Sequence, residues 1–347
     1  GPHISALGFA DQRDLLQRRP EVDFLVPFEG EYPMLGLCEA LEHGGALESV
    51  QGLVFRKAGE AVATPQRKFV DDLDALPFPA RHLMRIEKYR LILPVEGEPQ
   101  VTNIVTSRGC PFRCNFCSAT QIAGYSIRVR SPENTLAEVA EIMAAYKHLE
   151  GVFFYDDNFL VQRKRAVAMC EAIKKSGIDF RWGCYGRVDL IDDELAGILA
   201  GAGCEVVSFG VESGSPKVLQ AMNKRTTPAQ VYAAVKAVKK HGMAARSSFF
   251  FGYPGEGIAD LLRTFRLMHK AKLTAKEITF GNHPIIYPGT GLYEAMKERH
   301  YLPEGFSWAE PTDLPCFKDV PIFLPPHDGV RQALIKALWA AKRWGIA

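Results

Sequence analysis

Short apolar segments alternate with amphipathic segments from about residue 101 to residue 300. The apolar segments are rich in β-branched and aromatic residues and end at Gly, Asp or polar clusters, as buried parallel strands do. They predict six strands, at Val101–Ser107, Gly151–Tyr155, Phe180–Tyr185, Glu205–Val211, Ala245–Phe251 and Glu277–Ile286. The amphipathic segments predict helices, with Ser131-Pro132, Ser215-Pro216 and Thr227-Pro228 as N-terminal signals. Repeated strand–helix units of this kind predict an α/β fold, a partial (β/α)6 TIM-like barrel with a parallel sheet.

The first hundred residues have a different pattern. Their elements are a strand at Val22–Val26, a helix at Pro33–Glu42 and a hairpin of Leu53–Arg56 with Ala61–Thr64. Because so few elements bury little core, we expect residues 1–75 to be the C-terminal remnant of a larger domain. The predicted order is this remnant, a linker at 76–100, the barrel at 101–300, and a C-terminal extension at 301–347 with a helix over Gly329–Trp344.

Composition excludes several classes of protein. The 347 residues are 47% apolar, which is typical of a globular chain and excludes wholesale disorder. Lys and Arg number 42 against 40 Asp and Glu, so no basic field marks a dedicated nucleic-acid binder. No apolar run approaches the ~18 residues of a membrane span, and the first residues lack a signal-peptide pattern. We therefore expect a cytoplasmic protein.

Three of the eight cysteines lie together, at Cys110, Cys114 and Cys117, directly after the first predicted barrel strand. Thiolates favour zinc or iron–sulfur sites, and three ligands leave one coordination position open. A [4Fe–4S] cluster with one open iron fits this spacing, while a zinc knuckle or three unrelated thiols are the alternatives. The remaining cysteines are scattered and are predicted to pack as small hydrophobic residues, namely Cys38, Cys170, Cys184, Cys204 and Cys316.

The Cys-x3-Cys-x2-Cys loop, with Phe116 before its last cysteine, resembles the radical S-adenosylmethionine (SAM) superfamily over roughly residues 100–300. The resemblance implies that Cys110, Cys114 and Cys117 bind three irons of a [4Fe–4S] cluster and that SAM chelates the fourth. It further implies that one electron cleaves SAM to methionine and a 5′-deoxyadenosyl radical. The backbone of Phe116 is expected at the adenine edge.

Other contacts to SAM follow from the same resemblance. Asp156-Asp157-Asn158 stands where the family has a Gly-Gly-Glu-type motif for the SAM ammonium, so Asp156 or Asp157 is expected there, and a solvated turn is the alternative. Arg187 is expected to pair with the SAM carboxylate. Glu212 and Ser213 resemble the family's ribose and carboxylate contacts, with helix capping as the alternative.

Two further residues, Tyr253 and His283, stand at strand ends where they face either a substrate or the packed interior. No residue is singled out as a general base. The implied partners are a small-molecule substrate and an electron donor such as flavodoxin or ferredoxin, with nucleic acid disfavoured by the charge balance.

The N-terminal region narrows the resemblance to one subgroup. Gly1-Pro2-His3, Glu29-Gly30-Glu31 and the linker Leu76-Pro77-Phe78-Pro79-Ala80 resemble the end of a Rossmann-like cobalamin-binding domain that precedes the barrel in that subgroup. The resemblance implies cobalamin as a cofactor and methyl transfer to an unreactive carbon as the reaction. No Asp-x-His-x-x-Gly cobalamin motif is present, so we expect the binding domain to be incomplete in this chain.

Other functions stay open at this point. One is a non-methylating radical reaction, either cyclisation or oxidative tailoring of a tetrapyrrole- or lipid-like substrate. Another is a radical enzyme that modifies nucleic acid. The third is a non-catalytic module that binds zinc or a cluster and interacts with a partner.

Overall fold

The computed structural model of the chain describes residues 2–66, 68–281, 284–300, 302 and 306–309. The chain folds into two compact units that do not follow its order. The first, called the loop unit, takes Gly1–Asp71, Gly109–Ile127 and a stretch that begins at Ile285. The second, called the barrel unit, takes Asp72–Arg108 and Arg128–Pro284. The cysteine loop therefore groups with the N-terminal segment, whereas the sequence placed it within one continuous barrel.

The barrel unit contains alternating strands and helices, with labels that run in chain order through the whole protein. Its elements are β4 (Leu91–Ile92), β5 (Gln100–Ile104), β6 (Ser107–Arg108), β7 (Arg128–Val129), α5 (Pro132–Ala145), β8 (Gly151–Phe154), α6 (Arg163–Ser176), β9 (Arg181–Gly186), α7 (Asp193–Gly201), β10 (Cys204–Glu212), α8 (Pro216–Ala221), α9 (Pro228–Lys240), β11 (Ala244–Phe250), α10 (Ile258–Lys270) and β12 (Ile278–Gly281). The main sheet has the order β12-β11-β10-β9-β8-β5-β4. Its neighbours are parallel except for β4 against β5.

This arrangement confirms the predicted α/β fold and its six parallel strands as a partial barrel. The difference is β4, an antiparallel edge strand that lies inside the predicted linker. Two of the three predicted caps are also observed, since the side chains of Ser131 and Thr227 accept hydrogen bonds from the first turns of α5 and α9. Ser215 makes no such bond at α8, because its hydroxyl instead donates to Asp260 at 2.6 Å.

The two faces of the sheet are buried in different ways. On one face, residues such as Phe154, Cys184 and Val207 pack against the helices in the largest hydrophobic core. On the other face, Val101, Phe153 and Val206 pack with Leu93 in a smaller cluster. Successive residues of a strand alternate between these faces, so the register decides which side chains face away from the helices.

The loop unit is built around a small antiparallel sheet of order β1-β2-β3. Its elements are α1 (Pro2–Ala6), α2 (Phe9–Arg18), β1 (Phe24–Leu25), α3 (Glu31–His43), β2 (Val54–Lys57), β3 (Glu60–Ala63), α4 (Ala119–Ala123) and α11 (Gly291–Glu298). The predicted strand, helix and hairpin are present, while α1, α2 and the pairing of β1 with β2 were not anticipated.

Several predictions concern residues outside the described part of the chain. These are His283, Cys316, and the C-terminal helix over Gly329–Trp344. Within the described residues, no helix combines the length and apolar character needed to cross a membrane.

Candidate active site

The segment that carries the three cysteines leaves and re-enters the barrel unit through one short ribbon. Strands β6 and β7 pair antiparallel, with Ser107 opposite Val129 and Arg108 opposite Arg128. The chain between them, Gly109–Ile127, belongs to the loop unit. The ribbon therefore fixes the distance between the two ends of the cysteine loop.

Glycine is required where this loop begins. Gly109 has a φ of +98°, and a Cβ added there would lie 2.2 Å from the carbonyl oxygen of Ser126. The next amide, that of Cys110, donates to the carbonyl of Gly124 at 3.2 Å. This close backbone approach closes the loop, and any side chain at position 109 would force it open.

The three cysteines are partly exposed thiols, and no disulfide joins the described cysteines. The prediction that the other cysteines pack in the interior is confirmed for Cys170, Cys184 and Cys204 and is wrong for Cys38, which is exposed on α3. A turn brings the last two cysteines of the loop together, since the amide of Cys117 donates to the carbonyl of Cys114 at 3.2 Å. The amide of Ala119, at the start of α4, lies 3.5 Å from Sγ of Cys117 and donates to it. Donation of this kind stabilises a thiolate, the form that binds metal.

The donor set of the loop is three thiols, the ligand type that iron–sulfur clusters take. Among the described residues, no three His, Cys, Asp or Glu side chains are grouped so as to hold one metal ion. A [4Fe–4S] cluster does not need such a grouping, because each thiolate binds a different iron at a separate corner. Near the loop, burial and the charge of Cys117 raise the pKa of Tyr287 above its usual value.

Asp156, at the end of β8, is fully buried and holds the segment that precedes the loop. Its carboxylate accepts hydrogen bonds from the amides of Thr106 and Ser107 at 2.5 and 3.0 Å and from both hydroxyls at 2.7 Å. Nη1 of Arg165 lies 3.4 Å from Oδ2 of Asp156. Burial lowers the pKa of Arg165, although the charge of Asp156 acts in the opposite direction. With both oxygens engaged, Asp156 acts as an anchor, whereas Asp157 is exposed.

Glu212 ends β10 in a strained and buried setting. Its φ is +67°, which is uncommon for a residue with a side chain, and the register of β10 shifts between Gly210 and Glu212. One carboxylate oxygen, Oε1, accepts from Nζ of Lys224 at 2.9 Å. The other, Oε2, is buried and has no hydrogen-bond partner in the described structure. An orphaned carboxylate oxygen of this kind fits an acceptor for ligand hydroxyl groups.

The other predicted SAM contacts are engaged within the protein. Arg187 makes a bidentate pair with Asp189 at 3.0 and 3.1 Å, and it donates to the carbonyl of Lys224 at 2.8 Å. The Ser213 hydroxyl lies 3.2 Å from that of Thr264 in α10. A carboxylate ligand would have to compete with Asp189 for Arg187, and Ser213 serves to pack β10 against α10.

Phe116 is half-buried within the loop, and the hydroxyl of Tyr253 donates to the carbonyl of Ala221 at 3.2 Å. The sequence did not point to Lys224 or Arg165, although each lies against a predicted site carboxylate. Neither occurs in a motif, and each meets its partner only through the fold. The sequence gives one weak indication of the role of Arg165, which is its position as a cation in the first turn of an amphipathic helix.

Comparison with known proteins agrees with this fold and this loop. The family model described as the radical SAM superfamily matches residues 104–268. A solved radical SAM methyltransferase, TsrM from Kitasatospora setae with cobalamin and a [4Fe–4S] cluster bound, superimposes with a TM-score of 0.66 at 19% identity, over 82% of this chain and 58% of TsrM. At that identity the likeness shows the fold alone.

Two curated relatives are closer in sequence. An uncharacterised methyltransferase of Pyrococcus horikoshii is 32% identical over 85% of this chain and 61% of the relative. The anaerobic magnesium-protoporphyrin IX monomethyl ester cyclase of Rubrivivax gelatinosus is 30% identical over 73% of this chain and 46% of the cyclase. The chain thus spans about half to three-fifths of the lengths of these relatives. Residues 104–268 of the chain are a radical SAM domain.

Proposed function

We propose that this chain cleaves SAM reductively within a cobalamin-dependent methyltransferase that acts on an unreactive carbon. The observation that carries the proposal is the loop of Cys110, Cys114 and Cys117, which offers three thiols after the first barrel strand. When bound, a [4Fe–4S] cluster with SAM supplies one-electron cleavage of the sulfonium. Methyl transfer is proposed because the Pyrococcus relative bears that name and the TsrM fold matches.

The residues have separate roles in this proposal. The three cysteines hold the cluster, and the backbone of Phe116 meets the adenine edge. Asp157 receives the SAM ammonium, because the carboxylate of Asp156 is committed to Thr106 and Ser107. Oε2 of Glu212 accepts from a ribose hydroxyl, and Lys224 keeps the carboxylate aimed. The contacts predicted for Arg187 and Ser213 stay predictions.

The remaining parts of the proposal concern partners and location. We propose cobalamin as a cofactor of the protein, and we assign none of the described residues to its binding site. The electron donor is a small redox protein such as flavodoxin or ferredoxin, and the substrate is a small molecule. A cytoplasmic location agrees with three thiols that must stay reduced to bind iron.

The proposal is tested by anaerobic reconstitution with iron and sulfide. We expect the visible absorbance of an iron–sulfur cluster and release of 5′-deoxyadenosine after reduction. Cys114→Ala should lose both, while Cys38→Ala, on the exposed face of α3, should keep both. A wild-type protein that binds zinc and releases no 5′-deoxyadenosine would contradict the proposal and favour an interaction module.

A ring-forming reaction without methyl transfer is the second candidate, favoured by the similarity to the Rubrivivax cyclase. SAM with a deuterated methyl group separates the two. Label in the product is expected for the methyltransferase, whereas 5′-deoxyadenosine release with an unlabelled product would identify the cyclase-type reaction.

A further inference from the structure

One row of side chains crosses four neighbouring strands on the sheet face turned away from the helices. The register sets Ser208 beside Tyr185 on one side and beside Arg246 on the other. Tyr155 directly follows β8, and its ring centroid lies 5.1 Å from that of Tyr185. Cys184, the residue before Tyr185, belongs instead to the core against the helices. The row therefore faces the interior of the partial barrel.

The chemistry of this row is unusual for a barrel interior, which is normally filled by bulky aliphatic side chains. The layer one step towards the strand N-termini has the usual character, because Val101, Phe153 and Val206 pack there with Leu93. That apolar layer closes the floor. Above it, the row offers two phenols, a hydroxyl and a guanidinium instead of further aliphatic packing.

The aromatic end of the row is open to a ligand. Tyr155 is 47% exposed, although it contacts the ring of Tyr185 edge-on at 79°. The ring of Phe153 supports Tyr185 from below, with centroids 4.9 Å apart. Burial and a hydrogen bond with Tyr155 raise the pKa of Tyr185, so it stays a neutral phenol. Such a surface suits a flat conjugated ring.

The other end of the row is cationic. Nε of Arg246 donates to the hydroxyl of Thr279 at 3.0 Å, which fixes the plane of the guanidinium. Within the described residues, no carboxylate forms an ion pair with Arg246. A half-buried guanidinium held in this way presents a planar fork that matches carboxylate or phosphate oxygens.

We infer that this row, called the ring–anion subsite and formed by Tyr155, Tyr185, Ser208 and Arg246, binds a flat conjugated ring that carries a carboxylate or phosphate. The inference rests on the proposed function, because it places the substrate on the barrel interior. Gly210 follows Ser208 by two residues on the same face of β10, and a Cβ placed on it would lie 2.5 Å from Oε1 of Glu212. The proposed ribose acceptor therefore lies one layer above the row, next to a ring that stacks on Tyr155 and Tyr185.

Binding of matched probes tests the subsite in the anaerobically reconstituted protein without any reductant. The probes are indole-3-acetate with its neutral twin indole-3-acetamide, and protoporphyrin IX with its neutral dimethyl ester. We expect at least one anionic probe to bind about tenfold or more tightly than its twin. Arg246→Gln should reduce that preference below about threefold, and Arg246→Lys should retain part of it. Arg266→Gln removes the same charge from the exposed face of α10 and should leave the preference intact.

Two outcomes overturn the inference. One is that neither anionic probe is preferred over its twin by the wild-type protein, including the case in which no probe binds. The other is a preference that survives in a folded Arg246→Gln protein. Failure of the proposed function is separate, because it would appear as absent 5′-deoxyadenosine release while the anion preference persists.

Discussion

Nζ of Lys224 lies 2.9 Å from Oε1 of Glu212, and both side chains are buried where β10 ends. Lys224 comes from the turn after α8, so the contact joins two segments twelve residues apart in the chain. The second oxygen of Glu212 has no partner among the described residues. A buried charge pair with one oxygen unsatisfied suits ligand binding better than stability alone.

Replacing Lys224 by Met should destabilise the protein, because it leaves the Glu212 carboxylate buried and uncompensated. We expect the free energy of unfolding to fall by about 3–5 kcal/mol in urea titrations. Lys240→Met is the matched control, since Lys240 pairs with Asp193 at 2.7 Å on the exposed surface. The control should cost at most about 1 kcal/mol. Equal losses in the two variants would contradict a buried pair.

Replacing Glu212 by Gln should weaken SAM binding by about 10- to 100-fold, the value of a hydrogen bond to a charged group. The double variant Glu212→Gln with Lys224→Met removes both charges. The two substitutions should be non-additive in stability, because neither leaves an unpaired buried charge when both are made, so the double variant should regain part of the lost stability. It should not regain affinity for SAM, because the carboxylate of Glu212 is still missing. Recovery of SAM affinity in the double variant would show that Glu212 has no direct role in binding.

Substitutions at Asp156 and Asp157 should have different effects, the first on the stability of the protein and the second on SAM binding. Asp156→Asn loses a buried acceptor for Thr106 and Ser107 and leaves Arg165 without its counter-charge, so we expect a loss of about 3–5 kcal/mol in the free energy of unfolding. Asp157→Asn changes an exposed side chain and should cost less than about 0.5 kcal/mol, yet weaken SAM binding. Unchanged SAM affinity in the second variant would remove Asp157 from the site.

Gly109→Ala should impair cluster assembly. The φ of +98° and the 2.2 Å approach of Ser126 oxygen leave no space for a methyl group. Gly177→Ala, at a φ of +66° with no atom within 4 Å of the added Cβ, is the control for backbone strain alone. We expect the control to lose about 1–2 kcal/mol of stability and to bind iron normally. Normal iron and sulfide content in Gly109→Ala would contradict this.

The stability of the barrel unit should depend on pH through Glu277. Burial tends to raise the pKa of Glu277, but hydrogen bonds from Lys239, Thr274 and the amide of Ala245 outweigh it, and the folded pKa lies below the usual 4.5. The unfolded state therefore binds more protons in this range, so stability rises with pH. The contribution is present above pH 4.5 and is lost as pH falls through the folded pKa.

The measurement compares wild type with Glu277→Gln in urea titrations from neutral pH down to the acid range. The stability difference between the two proteins should be largest near neutrality and shrink as pH falls below the usual glutamate pKa. A stability difference that grows on acidification would show that folding raises the pKa of Glu277 instead of lowering it.

Much of the barrel was predictable because parallel strands are buried on both faces and therefore appear as apolar runs. The strands at Gly151–Phe154 and Cys204–Glu212 lie within one residue of their predicted bounds. Two-residue strands have no such pattern, so β4 was assigned to the linker and the pairing of β1 with β2 was missed. These short pairings depend on contacts distant in sequence, which local propensity does not report.

The sequence by itself determined the chemistry on offer, because three thiols within eight residues and carboxylates at strand ends are properties of the chain. Only the tertiary structure decided how each group is used. It engaged Asp156 in anchoring the chain before the cysteine loop, bound Arg187 to Asp189, and brought Lys224 to Glu212 while leaving one oxygen of Glu212 unpaired. The reason is physical: a buried polar group must find its partner in space, and that partner is set by strand register and helix packing, not by spacing along the chain.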